Sequence, residues 1–137
     1  MAHWLMKSEP SAYSWEQLVK DGRTNWSGVR NFQAAANLKA MKAGDRAFFY
    51  HSNEGLAVVG IMEIVKAAYP DPSDKEGRFV QVDVKPIEPM KEPVSLKAIK
   101  AEAKLKNLKL VKQGRLSVSP VDAEEWKLIC KMGGVKA

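Results

Sequence analysis

The 137-residue chain has one cysteine, two histidines and no apolar run approaching the roughly 18 residues of a membrane span. Cys130 alone permits neither an internal disulfide nor a cysteine-based zinc site. It fits a reducing setting, cytoplasmic, or nuclear if the source is eukaryotic. His3 and His51 stand at no metal-ligand spacing with each other or with paired carboxylates. No glycine-rich phosphate loop and no nucleophile elbow occurs. His51 with Ser52 or Ser117 would make a serine–histidine pair, but nothing in the sequence supplies the orienting acid. The first residues lack a charged-then-apolar leader. These absences predict no metal, no cofactor, no membrane partner and no strong catalytic constellation.

What is present suits one globular domain spanning residues 1–137 and acting as a monomer. Apolar residues make up 45% and charged residues 28%, enough for a core at this length without staples. Nearly all of the net charge of +6 gathers in one stretch, where Lys97, Lys100, Lys104, Lys106, Lys109 and Lys112 face only Glu102. Such a strip is the footprint expected of a partner with a phosphate backbone. It is equally the solvated face of a lysine-rich helix until a pocket is found beside it.

Local signals outline the elements. Met1 to Lys7 reads as an opening strand. Ser14-Trp15-Glu16-Gln17 has the form of a capping box, starting a short helix that Gly22 ends. A second helix is expected from about Asn31 to Met41, closed by Gly44-Asp45. The aromatic run from Arg46 to His51 reads as a buried strand, and Ser52 to Gly55 as a hairpin turn. Leu56 to Val65 follows as a strand that Gly60 bends or bulges. The segment from Tyr69 to Asp74 reads as an irregular proline-rich loop. Phe79 to Val84 alternates strictly, and Pro86 to Pro93 reads as a connection. Ser95 caps a helix carrying Leu96, Ile99 and Ala103 on one stripe. Arg115 to Ser119 reads as a short strand, and Asp122 opens a last helix that buries Trp126, Ile129 and Cys130. Helices at both ends with strands between favour an α+β domain on a curved, mostly antiparallel sheet.

The densest chemistry lies in Trp26-Ser27-Gly28-Val29-Arg30-Asn31, which feeds directly into a helix start. It brings a large aromatic, a glycine, a guanidinium and an amide to the amides of a helix N-terminus. Trp26 can equally be a packing residue. Three further clusters sit at the ends of apolar segments: Lys7-Ser8-Glu9-Pro10, Tyr50-His51-Ser52, and Arg115 with Ser117. Together they supply the convergent polar groups that a ligand pocket needs within an apolar wall.

In this order, the clusters resemble the EVE domain, a relative of the PUA-like fold. The resemblance runs through Trp4-Leu5-Met6-Lys7-Ser8-Glu9-Pro10, Trp26 to Asn31 with Gln33-Ala34, Gly44-Asp45 and Phe49-Tyr50-His51-Ser52. It continues through Val59-Gly60-Ile61, Tyr69-Pro70-Asp71, Pro93 to Leu96 and Arg115 to Pro120. It implies a barrel-like curved sheet flanked by helices, and a pocket accepting a flipped, modified base of DNA or RNA, modified cytosine first among the candidates. The lining it implies is Lys7, Ser8, Trp26, Gly28, Val29, Arg30, Asn31, Tyr50, His51, Ser52 and Ser117. On this reading Trp26 or Tyr50 stacks on the base, Asn31 and Ser8 read its edge, and Arg30 holds a base edge or phosphate. The lysine strip follows the nucleic-acid backbone. Removal of Trp26 is expected to weaken binding and leave the fold largely intact. Two other readings are an enzyme acting on a modified nucleotide through Glu9 and His51, and a small-molecule or protein-interaction module.

Overall fold

The computed structural model describes residues 2–136 and contains one six-stranded sheet. The elements in chain order are β1 (His3–Ser8), α1 (Trp15–Asp21), β2 (Thr24–Trp26), α2 (Phe32–Ala40), β3 (Arg46–His51), β4 (Ala57–Pro70) and β5 (Val80–Ser95). Then come α3 (Leu96–Ala101), a 3₁₀ turn (Ala103–Leu105), α4 (Lys109–Lys112), β6 (Val118–Val121) and α5 (Ala123–Met132). The sheet order is β2-β5-β4-β3-β1-β6. Every pairing is antiparallel except β1 with β3.

Alternation along the strands divides the interior into two cores. Trp4 and Met6 of β1, Ala47 and Phe49 of β3, and Met62 and Ile64 of β4 share a cluster with Trp15, Leu18, Trp26 and Leu38. Their neighbours Leu5, Phe48, Tyr50, Val58 and Ile61 point the other way. There they meet Ile99, Leu105, Leu108, Trp126 and Ile129 from the C-terminal helices. Phe48 lies stacked on Trp126 at 3.9 Å between ring centroids, and His3 stacks on the same indole at 4.4 Å. The first core is the hollow of a curled sheet: Trp26 of edge strand β2 reaches the Phe49 ring edge-on at 5.5 Å, although two strands separate β2 from β3.

Helix starts follow the residues that signal them. Ser14, Asn31, Ser95 and Asp122 each accept a hydrogen bond from a first-turn amide of the helix they precede, and Glu125 completes a capping box with Asp122. Gly22 ends α1 at φ +75°, the left-handed conformation that a side chain would strain. Asp45, after α2, is buried and takes the indole N–H of Trp4 at 3.1 Å.

Several boundaries differ from the sequence reading. Pro86, Pro89 and Pro93 lie within β5, which runs unbroken to Ser95 and is not interrupted by a connection. The register with β4 shifts beside Pro86 and Pro89, where a residue without an N–H is tolerated because the ladder is already irregular. Tyr69 and Pro70 extend β4, so the irregular loop begins only at Asp71. Arg115 and Ser117 precede β6, and Ala103 is exposed in the 3₁₀ turn beyond α3. The short strand β2 carries too few residues for a period of two to register.

Gly60 has a second role besides the bulge it occupies. A Cβ there would lie 2.5 Å from the Trp15 ring, which is buried and packed edge-on against Phe49 at 5.6 Å. Neither ring has room to retreat. Gly60→Ala is expected to destabilise the domain by about 1–3 kcal/mol. Urea unfolding would read this as a lower midpoint at unchanged slope; an unchanged midpoint would mean that Trp15 is free to move.

Candidate functional site

Where the curled sheet brings β1 and β2 toward each other, a cavity of about 390 Å³ opens. Its walls come from the end of β1 (Lys7, Ser8), the turn before α1 (Ala12, Tyr13) and β2 with its following residue (Thr24, Asn25, Trp26, Ser27). The size falls within the range of small-ligand sites. Hydroxyls and an amide dominate the lining, and it contains no carboxylate.

Each wall is held from behind. The Ser8 hydroxyl donates to the Tyr13 carbonyl at 2.6 Å, tying the turn to β1. The Tyr13 phenol donates to Asp21 at 2.8 Å, and Asn25 Nδ2 to Gln81 Oε1 at 3.0 Å. Lys7 Nζ donates to the Gly114 carbonyl and lies 5.9 Å from the centre of the Tyr50 ring. Burial lowers the pKa of this ammonium. An ammonium has three donors, so two remain for a ligand.

Of the residues expected to line the pocket, the structure brings together Lys7, Ser8 and Trp26. Trp26 is also core, 8% exposed and packed on Phe49. Its truncation is therefore a core truncation, costing about 3–5 kcal/mol, and the expectation of an intact fold does not hold. Tyr50 is carried to the opposite face, because alternation along β3 sends Phe49 inward and Tyr50 to the helical core. It does not stack beside Trp26.

His51 is an acceptor for helix α1. Its Nε2 takes the backbone N–H of Trp15 at 3.1 Å. Burial lowers its pKa, against a weaker opposing effect of Glu16. Ser52 and Ser117 meet β1 through their backbones: Ser52 N donates to Ser8 O, and Lys7 N donates to Ser117 O, both at 2.9 Å.

The remaining loop residues serve a buried anion. Asp71 is 2% exposed, and its carboxylate accepts from Gly28 N at 2.8 Å and Arg30 Nη1 at 3.2 Å. The Ser73 amide and hydroxyl complete the set at 2.8 and 2.6 Å. Gly28 at φ +80° aims its N–H there, which is why a glycine stands at this position. The guanidinium of Arg30 spans Asp71, Ser73 and the Val29 carbonyl. Three of the five Arg30 donors are thus taken up within the protein. Val29 packs in the first core at 7% exposure, and the Asn31 side chain caps α2 through Ala34 N at 2.9 Å.

The six lysines of the basic strip are all exposed, yet they do not form one surface. Lys97 and Lys100 flank Leu56, Lys104 lies with Lys127 and Lys131 of α5, and Lys112 alone borders a cavity next to the site. The helix expected to align them breaks at Glu102.

Ala12, Tyr13, Thr24, Asn25 and Ser27 were missed as lining residues. Ser27 belongs to the Trp26–Asn31 hexapeptide; the others lie on a three-residue strand and a turn, which carry no periodic signal.

A family model for the EVE domain matches residues 2–132. The chain belongs to the EVE domain family. Rpa0253 from Rhodopseudomonas palustris, solved by NMR, is 57% identical and superposes with a TM-score of 0.93, covering 98% of this chain and 94% of its own. Human THYN1, solved in complex with 5-methylcytosine-containing DNA, is 36% identical with a TM-score of 0.92 and full coverage of both chains. Human thymocyte nuclear protein 1 is 37% identical over 165 aligned positions, spanning 96% of this chain and 73% of the relative. The YTH domain of Zygosaccharomyces rouxii MRB1 shares the fold at 19% identity and a TM-score of 0.62. These likenesses establish the PUA-like α+β class. Among the described residues, no helix is long and apolar enough to cross a membrane.

The Asp71 contacts carry a pH consequence. Burial raises the pKa of its carboxyl, but bonds from Ser73, Gly28 and Arg30 outweigh it and bring the value from 3.8 down to about 2. A depressed folded pKa stabilises the fold above the unfolded value and loses that contribution as pH falls through the folded one. The contribution is on the order of 2 kcal/mol at neutral pH. Asp71→Asn is expected to lower stability at pH 7 and to flatten its decline between about pH 5 and pH 2. Urea melts across that range would show parallel curves for the two proteins if Asp71 were unimportant.

Proposed function

We propose that this chain is a non-catalytic module that takes a single modified base, 5-methylcytosine or a close analogue, out of a nucleic-acid strand. The observation that carries this is the cavity between β1 and β2, with an indole in one wall and hydroxyl, amide and ammonium groups around it. Human THYN1, with which the chain aligns from end to end, was solved with 5-methylcytosine-containing DNA.

The chemistry of the lining suits a pyrimidine. Cytosine offers an amine donor and two acceptors on its pairing edge. Thr24, Asn25 and Ser27 bring acceptors and donors, and Lys7 has donors left for a carbonyl. Extrusion of a base costs a few kcal/mol, and enclosure against Trp26 with edge hydrogen bonds offsets it. The lining has no carboxylate, and His51 Nε2 accepts the Trp15 N–H, which favours a binding role over one built on Glu9 and His51.

Burying one methyl group is worth about 0.8 kcal/mol, so a preference of about fourfold or more for the methylated base is expected. Fluorescence anisotropy with otherwise identical oligonucleotides, carrying cytosine or 5-methylcytosine at one position, measures it. Equal affinities that vanish together at high salt would leave only phosphate attraction. Ser27→Trp adds bulk at an exposed lining position and is expected to remove the preference at an unchanged unfolding temperature. A preference retained in that variant would place the base elsewhere.

A further inference from the structure

A second cavity, of about 370 Å³, lies beside the first. Asn31 and Gln33 at the head of α2 form one wall; Lys112 at the end of α4, with Gln113 and Arg115 of the connection to β6, forms the other. Gly114 belongs to this lining, and its carbonyl takes the Lys7 ammonium of the first cavity. This hydrogen bond links the linings of the two cavities and marks where they meet.

The walls are fixed by an amide pair. Gln33 Nε2 donates to Gln113 Oε1 at 3.2 Å, and Gln113 Nε2 donates back to Gln33 Oε1 at 3.3 Å. This reciprocal pair bridges residues 80 apart and keeps α2 and the connection at a set distance. The cavity is thus preformed, which reduces the entropy cost of binding.

Its charge is of one sign. Lys112 and Arg115 line it, no carboxylate does, and among the described residues neither cation takes part in an ion pair. Other surface basins differ in kind: the one holding Lys104, Lys127 and Lys131 contains Glu124, the one holding Arg23 contains Asp83, and the one holding Lys97 and Lys100 has no carboxylate but is lined by Leu56 and Leu96. Counting Lys7, the joined cavities present three cations and no anion. A single acidic group would need only one of these. A trough with a polar end carrying one ammonium and a doubly cationic end suits a nucleotide whose base and phosphodiester part company.

We infer that the second cavity is a phosphodiester site, in which Lys112 and Arg115 hold the backbone phosphate flanking the base bound in the first cavity. The inference rests on the base-binding reading above and adds the strand's path: over the Lys7–Gly114 hydrogen bond, toward α4. It gives phosphate contact to Arg115, and within the lysine strip to Lys112 alone. Contacts of this kind position the strand without reading its sequence.

The test is the salt dependence of binding for the full chain and for Lys112→Gln, Arg115→Gln and the double variant. The probe is a single-stranded oligonucleotide with one 5-methylcytosine, alongside its unmethylated twin and free inorganic phosphate. Both side chains are exposed, so unfolding temperatures should not move. Each single variant is expected to reduce the slope of log K against log salt by about 0.7, and the double variant by about twice that, with the methyl preference unchanged. Lys97→Gln, on the far part of the strip, should leave the slope as it is. An unchanged slope in the double variant overturns the phosphate site. A changed methyl preference does so too, because the cavity would then be reading the base. Tight binding of inorganic phosphate, competing at micromolar concentration, would make it a free-anion site and overturn the backbone assignment. If the parent protein shows no methyl preference while the slopes still fall, the base reading fails and the phosphate site stands.

Discussion

Asp71 is a carboxylate with no exposed side-chain surface, and the geometry of the site depends on how its charge is satisfied. It takes donors from two stretches of chain about 40 residues apart. Gly28 and Arg30 follow β2; Ser73 belongs to the loop after β4. Without that anion the Gly28 amide and the Arg30 guanidinium would lose their shared acceptor, and the hexapeptide its tie to the loop after β4. The pairing also explains why so polar a loop contributes little to the ligand. Its glycine amide and three donors of its guanidinium are engaged inside the protein, and of its residues Trp26 and Ser27 line the first cavity.

The architecture beneath this anchor comes from a curled sheet with unequal faces. One face holds the hollow that contains Trp15, Trp26 and Phe49; the other is covered by the C-terminal helices. Gly60 lets the Trp15 ring approach β4 closely, and His51 fixes the first amide of α1. Both contacts set the turn that carries Ala12 and Tyr13. The candidate pocket is thus the rim of the first core, where aromatic packing ends and hydroxyl groups begin.

Much of this was legible in the sequence, and the losses have physical causes. Helix starts were readable because Ser14, Asn31, Ser95 and Asp122 announce themselves chemically. The aromatic strand and the α+β class were readable from periodicity. Proline misled at residues 86, 89 and 93, since pairing that is already out of register tolerates a missing donor. In the site, residue type was a good guide to importance and a poor guide to direction. Tyr50 and His51 are consecutive, so a strand sends them to opposite faces. Arg30 has the chemistry of a ligand clamp, but its partner Asp71 lies 41 positions away, and no local pattern reveals such a pairing. Three residues named by the resemblance to EVE domains, Lys7, Ser8 and Trp26, line the first cavity; Thr24 and Asn25 carry no local signal, because β2 is only three residues long.

The two cores have a consequence beyond stability. They share the strands of one sheet but no side chain, since each residue of β1 and β3 commits to one face or the other. The helical layer acts as a backing plate, and of its residues only Lys112 at the end of α4 borders either of the two cavities. Substitutions at Thr24, Asn25 or Ser27 can recut the opening while Phe48 on Trp126 continues to hold the plate flat. A fold divided in this way can change its ligand within a lineage without first having to relearn how to fold.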